Sequence, residues 1–457
     1  MAKYKAYPEY KDSGVEWLGE VPREWDVINI KYLSQVKRGA SPRPIDDPKF
    51  FDDDGDYAWV RIADVTASDT YLLETTQKMS ALGSSLSVKL EPNKLFLSIA
   101  GTVGKPCITA IKSCIHDGFV YFPYLKIPNK FLFYVFSGEQ AYKGLGKMGT
   151  QLNLNTDTVG GIKVALPSNN YFIANIINFL DYETAKIDNL IEKQKQLIEL
   201  LKEKRQAVIS HAVTKGLNPD VPMKDSGVEW LGDVPEHWTI AQLKFNTLEM
   251  QTGPFGSQLH AEDYVVDGIP LINPAHMNAG MIIPDPKVTV DEETQERLER
   301  HKLSEGEIIF SRRGELGRCA VVKKNNEGWL CGTGSLKAKL TKKIIPDYAY
   351  TLISSEGVVS ELTLESKGST MANLNTETLG RVRLPVPPIS EQEAILDYIK
   401  IISDKYDYLI RYADTAIRLM QERRTALISA AVTGKIDVRD WVAPEVQDVE
   451  EPQEATA

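Results

Sequence analysis

Two loops at matching places in the chain combine glycine with side chains that can read the base edges of DNA. The first reads Lys-Arg-Gly-Ala-Ser-Pro-Arg-Pro over residues 37–44, and the second reads Gln-Thr-Gly-Pro-Phe-Gly-Ser-Gln over residues 251–258. Arginine suits bidentate contacts to guanine, glutamine suits adenine, and serine suits either base. We expect each segment to be a loop between strands. The candidate base-reading residues are Arg38, Ser41, Arg43, Gln251, Ser257 and Gln258.

A second pair of loops carries glycines beside cations. Residues 100–105 read Ala-Gly-Thr-Val-Gly-Lys, and residues 312–318 read Arg-Arg-Gly-Glu-Leu-Gly-Arg. Glycines allow backbone N–H groups to approach a phosphate, while the cations neutralise its charge. A glycine-rich turn without a ligand fits each loop equally well. The candidate phosphate-binding residues are Lys105, Arg312, Arg313 and Arg318.

A third pair of loops, residues 149–153 and 368–373, runs into the sequence Asn-Leu-Asn-Thr that both places share. These loops are either base readers or turns that lead into the last strand of each region. Their candidate residues are Gln151, Asn153, Thr370 and Asn373. The same residue chemistry adds Arg61, Lys143, Asn273 and Lys367 as candidate DNA contacts.

No catalytic constellation accompanies these loops. The sequence contains no GxxxxGK[ST] phosphate loop, no GxGxxG after a strand, no GxSxG elbow and no HExxH. Residues 273–276 read Asn-Pro-Ala-His, which only approaches the Asn-Pro-Pro-aromatic motif of amino-methyltransferases. The acidic cluster at residues 52–56 is typical of a solvated turn, and the four cysteines form no CxxC pair. We therefore expect neither a metal site nor a cofactor in this chain.

Charge is unevenly distributed along the 457 residues, although the net charge is −10. Residues 78–147 hold nine lysines against three acidic residues, and residues 302–343 hold ten lysines or arginines against four. From residue 437 onward seven acidic residues face one arginine, which predicts a disordered acidic tail. The basic stretches fit phosphate binding, and on charge alone they fit a solvated surface equally well. No apolar run approaches 18 residues, so we expect a cytoplasmic protein without membrane contact.

The elements that must position these loops occur twice. Residues 11–25 and 224–238 share 12 of 15 residues, and the loops and the shared Asn-Leu-Asn-Thr follow at similar offsets. Short segments rich in β-branched and aromatic residues predict strands at 57–62, 94–99, 118–124, 162–166, 269–273, 307–311 and 381–386. Short helices are predicted at 129–137 and 347–355. In the repeated segment, Asp-Ser-Gly predicts a turn and the final tryptophan a buried anchor.

Each repeat is followed by a long stretch with helical spacing of apolar residues, 170–214 and 390–433. At 1.5 Å per residue the first would be roughly 65 Å long. Its narrow apolar stripe, which includes Leu190 and Leu197, needs a partner helix. The ends of the two stretches, residues 203–216 and 422–435, share 8 of 14 residues. An antiparallel coiled-coil pair is the favoured arrangement, and two amphipathic helices packed on separate domains are the alternative.

This order of motifs, stated twice, resembles the specificity subunit of Type I restriction-modification systems. It consists of the repeated 15-residue segment, the glycine-rich loop, Asn-Leu-Asn and a long helix ending in Ile-Ser-x-Ala-Val-Thr. The resemblance covers nearly the whole chain except the tail. It implies an α+β fold in which two α/β target-recognition domains, related by pseudo-twofold duplication, are separated by two long antiparallel coiled-coil helices. The expected boundaries are 1–168 and 217–388 for the domains, 169–216 and 389–436 for the helices, and 437–457 for the tail.

The resemblance also implies partners. The chain would bind double-stranded DNA, read one half of a bipartite target with each domain, and dock two modification subunits through its helices. S-adenosylmethionine, ATP and magnesium would be bound by the modification and restriction (translocase) subunits and not by this chain. Two other classes stay open from the sequence, a self-contained adenine DNA methyltransferase and a coiled-coil scaffold with two protein-binding domains. Binding of S-adenosylmethionine to the isolated chain tests the first, and salt-dependent DNA binding separates the proposed reading from the second.

Overall fold

The computed structural model describes residues 4–138, 140–142, 147–148, 151–152, 154–256, 258–366 and 374–444. Two compact units divide the chain, one formed by residues 1–196 with 413–457 and the other by residues 197–412. Each unit therefore contains one globular region and a part of each long helix, whereas the expected boundaries treat each helix as one segment.

The first globular region is built from short strands and helices. Its strands are β1 (Tyr10–Asp12), β2 (Glu20–Pro22), β3 (Asp26–Asn29), β4 (Lys37–Arg38), β5 (Tyr57–Val60), β6 (Tyr71–Leu72), β7 (Lys78–Met79), β8 (Val88–Leu90), β9 (Leu95–Ser98), β10 (Pro106–Thr109), β11 (Ser113–Ile115), β12 (Phe119–Tyr121), β13 (Lys147–Met148), β14 (Gln151–Leu152) and β15 (Lys163–Leu166). Its helices are α1 (Ile30–Leu33), α2 (Ile62–Ala67), α3 (Ala81–Ser85), α4 (Asn129–Ser137) and α5 (Thr156–Gly161), and the long helix α6 (Asn170–Lys215) follows.

The second globular region repeats this plan. Its strands are β16 (Met223–Asp225), β17 (Asp233–Pro235), β18 (Thr239–Gln242), β19 (Thr247–Thr252), β20 (Tyr264–Val265), β21 (Ile269–Ile272), β22 (Met277–Asn278), β23 (Met281–Ile282), β24 (Thr289–Val290), β25 (Ile308–Ser311), β26 (Cys319–Val321), β27 (Leu330–Cys331), β28 (Ser335–Leu340) and β29 (Arg383–Val386). Its helices are α7 (Glu292–Arg297), α8 (Pro346–Ile353), α9 (Glu356–Ser366) and α10 (Thr376–Arg381), and the long helix α11 (Ile389–Val432) follows.

The sheets show that the repeat is structural. The order β4-β12-β9-β10 in the first region corresponds to β19-β28-β25-β26 in the second, with β6 added at the edge of the first sheet. A second sheet in each region contains a parallel pair, β5 with β11 and β21 with β27. The predicted α+β class is confirmed, and each predicted strand overlaps an observed one. Helices take residues at two of the predicted strand ends, because α2 begins at Ile62 and α10 ends at Arg381.

The repeated 15-residue segment packs on the end of a long helix in each unit. Trp25 and Trp238 are almost fully buried, which confirms the predicted anchors. In the first unit Lys435, just after α11, donates to the carbonyl oxygen of Glu20. In the second unit Lys215 at the end of α6 donates to the carbonyl oxygens of Leu231 and Asp233. The segment is thus an attachment point for a helix end, consistent with a packing role.

The long helices run antiparallel within each unit. In the first unit Asn175 Nδ2 donates to the carbonyl oxygen of Arg439 at 2.9 Å, while Asp188 pairs with Arg424 at 2.8 Å. In the second unit Arg205 pairs with Asp407 at 2.5 Å. Further along α6 the residues Ala212 and Val213 share a core cluster with Ile395, which lies earlier in α11. The predicted antiparallel pair is therefore observed separately in both units.

The buried stripe of α6 follows heptad spacing. Its buried residues at this spacing are Ile176, Leu180, Ile187, Ile191 and Ile198, and Ile173 and Phe179 widen it near the start of the helix. Leu190 and Leu197, which the sequence placed in the stripe, are 46% and 42% exposed. A two-position heptad seam is narrower than the full apolar face of the helix, so leucines directly preceding a seam residue remain at its side.

The prediction of a disordered tail does not hold for its first residues. Val438 is buried, and the backbone N–H of Asp437 donates to the carbonyl oxygen of Lys5 at 2.8 Å. Trp441 packs edge-on against Phe179 of α6 with ring centroids 5.5 Å apart. Residues 445–457 lie outside the described residues. Among the described helices, none combines the length and apolar composition of a membrane span.

Candidate DNA interface

Three candidate residues of the first region gather around one residue, Asp117. Arg38 Nε donates to the carbonyl oxygen of Asp117 at 2.5 Å. Ser41 Oγ donates to the Asp117 carboxylate at 3.3 Å, and the Arg43 guanidinium forms an ion pair with it at 3.1 Å. The prediction that all three lie in a loop is wrong for Arg38, because β4 includes it and pairs it with Val120. We call Arg38, Ser41, Arg43 and Asp117 the Asp117 cluster.

The Asp117 cluster is exposed and carries surplus positive charge. The side chain of Arg43 is 74% exposed and that of Asp117 is 41% exposed. Exposed ion pairs of this kind contribute about 0–1 kcal/mol, so a DNA phosphate can replace the carboxylate as partner at small cost. The cluster therefore orients its two arginines and leaves them able to exchange their partner for a phosphate.

A close backbone approach fixes the loop that carries this cluster. A Cβ added to Gly39 would lie 2.1 Å from the carbonyl oxygen of His116, so only glycine fits there. The His116 ring is anchored in turn, since its Nδ1 accepts a hydrogen bond from the Gly118 N–H at 2.8 Å. Burial lowers the pKa of His116, which keeps this acceptor nitrogen unprotonated near neutral pH.

The second region places its loop at the same point of the equivalent sheet. A Cβ on Gly253 would lie 1.8 Å from the carbonyl oxygen of Gly332, as at Gly39. The Gly253 N–H donates to the carbonyl oxygen of Ser335 at 2.9 Å, and the Gly39 N–H donates to that of Phe119 at the same distance. Both loops therefore cross the start of the equivalent strands β12 and β28.

The glutamines of the second loop are partly occupied by the loop itself. Gln251 belongs to β19, which corrects its predicted place in a loop, and its Nε2 donates to the carbonyl oxygen of Thr252 at 3.1 Å. Gln258 and Phe255 form a reciprocal pair. The Gln258 Oε1 accepts from the Phe255 N–H at 3.1 Å, and the Gln258 N–H donates to the Phe255 carbonyl oxygen at 2.7 Å. Gln258 is thus a residue that shapes the loop.

The glycine-rich loops at 100–105 and 312–318 share left-handed backbone conformations at their glycines. Gly101, Gly104, Gly314 and Gly317 all have positive φ, between 65° and 87°. In the first loop, the N–H groups of residues 103 and 105 donate to carbonyl oxygens of the loop, and that of Gly104 donates to the carbonyl oxygen of Ser98 at the end of β9. These N–H groups of the first loop are therefore not free to cradle a phosphate.

In the first region, α2 brings two candidate cations together. Arg61 directly precedes α2, and its guanidinium donates to the Thr76 hydroxyl. Lys105 reaches α2 from the glycine-rich loop, where its Nζ donates to the carbonyl oxygen of Thr66 at 3.0 Å. The Thr66 hydroxyl also contacts that of Thr102 at 2.8 Å. Arg61 therefore lies at the start of α2, where Asp64 is 3.6 Å from its Nε, and Lys105 lies at the end of that helix.

The three arginines of the second glycine-rich loop have different surroundings. Arg313 is exposed, and within the described part of the chain its side chain makes no hydrogen bond. Arg318 binds the Glu315 carboxylate and donates to the carbonyl oxygen of Pro274 at 3.3 Å. Arg312 is only 9% exposed, and burial lowers the pKa of its guanidinium. Of the three, Arg313 is the one whose side chain is exposed and makes no hydrogen bond among the described residues.

Asn273 has a structural role that the sequence did not reveal. Its Oδ1 accepts from the Gly334 N–H at 3.2 Å, and its N–H donates to His276 Nδ1 at 3.1 Å. Together with the contact between Arg318 and Pro274, this ties residues 273–276 to the glycine-rich loop. The partial resemblance to a methyltransferase motif therefore reflects a turn held by internal hydrogen bonds.

The shared Asn-Leu-Asn-Thr ends in a helix cap. Asn155 accepts from the N–H groups of Asp157 and Thr158 at 2.9 Å each, and Asn375 accepts from the Thr378 N–H at 2.7 Å. The second asparagine of each copy thus begins α5 or α10. Gln151 lies in β14, and only its backbone is described. The candidates Lys143, Asn153, Ser257, Lys367, Thr370 and Asn373 lie outside the described residues.

Two residues that sequence reasoning missed are Asp117 and Phe255. In the sequence Asp117 is only an acidic residue in a basic stretch, and Phe255 lacks the polar side chain expected of a base reader. Alignment of the two loops on Gly39 and Gly253 gives Ser41 and Phe255 equivalent positions, two residues after the glycine. Among the described residues, no group of histidine, cysteine, aspartate and glutamate side chains is arranged to hold a metal ion.

The fold and these duplicated basic loops define a protein class, and comparison with known proteins names it. Residues 22–200 and 248–409 match the family described as Type I restriction modification DNA specificity domain. The chain belongs to this family, and the resemblance drawn from the sequence motifs is confirmed. The family contributes DNA specificity, which agrees with the prediction of a subunit without catalysis of its own.

Individual relatives give the extent of the similarity. The chain is 21% identical over 434 residues to the Type I restriction enzyme MjaVIII specificity subunit of Methanocaldococcus jannaschii, covering 92% of this chain and 95% of that one. It is 23% identical over 268 residues to the EcoBI specificity subunit of Escherichia coli, but that match spans 56% of the relative. A solved chain from a Type I restriction-modification system has a TM-score of 0.63 and 13% identity, covering 91% of this chain and 99% of that one, which shows a common fold.

Proposed function

We propose that this chain reads a bipartite double-stranded DNA target, with one globular region for each half-site. The observation that carries the proposal is the repeated loop at Gly39 and Gly253, which sits at one sheet position but presents different side chains. Equal placement gives each region the same approach to a DNA groove. Different side chains give each region its own base preference, as direct readout requires.

The helices would dock two modification subunits, which rests on the family assignment and on exposed apolar side chains. Within the second unit, Leu200, Tyr408 and Tyr412 are between 61% and 69% exposed on α6 and α11. Aromatic and leucine side chains in this number on paired helices are suited to a partner surface. S-adenosylmethionine, ATP and magnesium would then be supplied by the modification and restriction subunits, which act on cytoplasmic DNA.

Mapping of methylated sites tests this function. Cells that carry the chain with its modification subunits should show methylated adenine in two short sequences at a fixed separation, and a deletion of the chain should remove both. The isolated chain should not bind S-adenosylmethionine, and it should not release methylated product. Binding of S-adenosylmethionine by the purified chain would instead support a self-contained methyltransferase, and DNA binding without salt dependence would support a protein-binding scaffold.

A further inference from the structure

Phe255 is an exposed aromatic residue on a loop that is held in place. Its side chain is 59% exposed. Its backbone is fixed from both sides by the reciprocal hydrogen bonds with Gln258. Gln258 is held in turn, since its carbonyl oxygen accepts from Arg297 at 2.6 Å. The ring is therefore presented by a preorganised loop.

A buried arginine lies beside the Phe255 ring. The Arg312 guanidinium carbon is 5.8 Å from the ring centroid, within cation–π range. Arg312 Nε donates to the carbonyl oxygen of Leu374 at 3.4 Å, and the Arg312 backbone pairs with Gly334 and Leu374. Within the described residues, the terminal nitrogens of this guanidinium have no hydrogen-bond acceptor. The Phe255 ring thus lies against this guanidinium at cation–π distance.

The first region has the opposite chemistry at the same place. Aligned on Gly39 and Gly253, Phe255 corresponds to Ser41, which is bound to the Asp117 carboxylate. Arg312 corresponds to Ile99, since the N–H groups of both donate to equivalent carbonyl oxygens, those of Gly334 and Gly118. The ring and its cation are thus particular to the second region. A feature needed only for folding would be expected in both copies.

We propose that Phe255 reads a thymine in the half-site of the second region, through contact between its ring and the thymine methyl group, with Arg312 as the positioning residue. This inference rests on the proposed function. Thymine alone among the four bases presents an apolar group in the major groove. A ring fixed at the loop tip can cover that methyl group, whereas Ser41 at the equivalent position offers only hydrogen bonds.

Substitution of uracil for single thymines tests the contact, because uracil lacks only the methyl group. The full chain with its modification subunits is assayed on its mapped target and on duplexes with one uracil each. Among these duplexes, only the one with uracil at the contacted thymine should bind more weakly. The loss should be about fourfold, which corresponds to about 0.8 kcal/mol for one buried methyl group. Phe255→Ala should weaken binding to the thymine duplex and lose this sensitivity. Phe255→Leu should keep part of it.

Two further variants separate reading from folding. Phe245→Ala removes another exposed phenylalanine of the same unit, 68% exposed and also beside a cation, Lys244 at 5.2 Å. Phe245 lies before β19, whereas Phe255 follows the end of that strand. Phe245→Ala should therefore leave unchanged the ratio of the affinities for the thymine duplex and the uracil duplex, which we call the thymine-to-uracil ratio. Arg312→Lys retains the charge but not the planar group. It should lower this ratio while leaving binding to a scrambled duplex unchanged.

The outcomes distinguish this inference from the proposed function. A wild-type chain that does not prefer its target over a scrambled duplex contradicts the proposed function itself. A wild-type chain that prefers its target but is insensitive to every uracil overturns the methyl contact alone. Retention of the full thymine-to-uracil ratio in Phe255→Ala overturns it as well.

Discussion

Asp188 of α6 and Arg424 of α11 form a two-point ion pair, with Nε and a terminal nitrogen of the arginine 2.8 and 3.1 Å from the two carboxylate oxygens. Bidentate geometry of this kind fixes orientation as well as distance. Because it joins residues far apart in sequence, the pair records the register of the antiparallel helices in the first unit. Arg205 and Asp407 make the corresponding contact in the second unit.

The register predicts a measurable coupling. The two side chains are 49% and 28% exposed, so the pair should contribute no more than about 1 kcal/mol to the free energy of unfolding. Asp188→Arg should lower the melting temperature, and adding Arg424→Asp should recover part of the loss. Thermal unfolding of the two single variants and the double variant measures this coupling energy. Strictly additive effects would show that the contact does not act across the two helices.

Arg313 should carry the phosphate contact of its loop. Because Arg318 is engaged with Glu315 and Arg312 is buried, Arg313→Ala should reduce the slope of log affinity against log salt by about one unit. Lys342→Ala is the matched control, since this exposed lysine lies beyond the other end of β28. Salt titrations of DNA binding compare the two. An unchanged slope in Arg313→Ala, or an equal change in Lys342→Ala, would contradict a phosphate contact at this loop.

Asp117 should restrain the arginines of the first region. Asp117→Asn removes the charge that competes with phosphate for Arg43 while retaining most of the shape of the side chain. Binding to unrelated DNA should therefore become tighter, and discrimination at one half-site should fall. Competition assays with target and scrambled duplexes give both quantities. If unspecific binding stays the same, Asp117 does not compete with DNA for these arginines.

The sequence predicted what depends on local pattern. The duplication, the two long helices and the buried Trp25 and Trp238 all follow from repeats and periodicity within short windows. The Asp117 cluster could not be predicted in this way, because its members lie far apart in sequence and meet only where β4 pairs with β12. The roles of Gln258 and Asn273 could not be predicted either. The sequence does not distinguish a polar side chain that binds DNA from one that makes hydrogen bonds within its own loop.

The helices should set the gap between the half-sites. Asp188 pairs with Arg424, and the helices are antiparallel. An insertion after Gln194, six residues beyond Asp188, therefore needs a second insertion after Ile417, which leaves six residues between that point and Arg424. One heptad in each helix keeps the apolar seam in register and adds about 10.5 Å. The gap in the methylated sites should grow by about three base pairs, or binding should weaken because the duplex also turns. Full activity with the original gap would show that the helices do not set the distance between the half-sites.

The most direct test of the central claim, one region for one half-site, is an exchange of residues 239–388. This segment can be replaced as a unit, because its ends are neighbours: Thr239 of β18 pairs with Val386 of β29. The incoming segment comes from another member of the family with a different target. Mapping of methylated sites should then show one half-site replaced, with the other half-site and the gap unchanged. Replacement of both half-sites, or of neither while methylation continues, would contradict the claim.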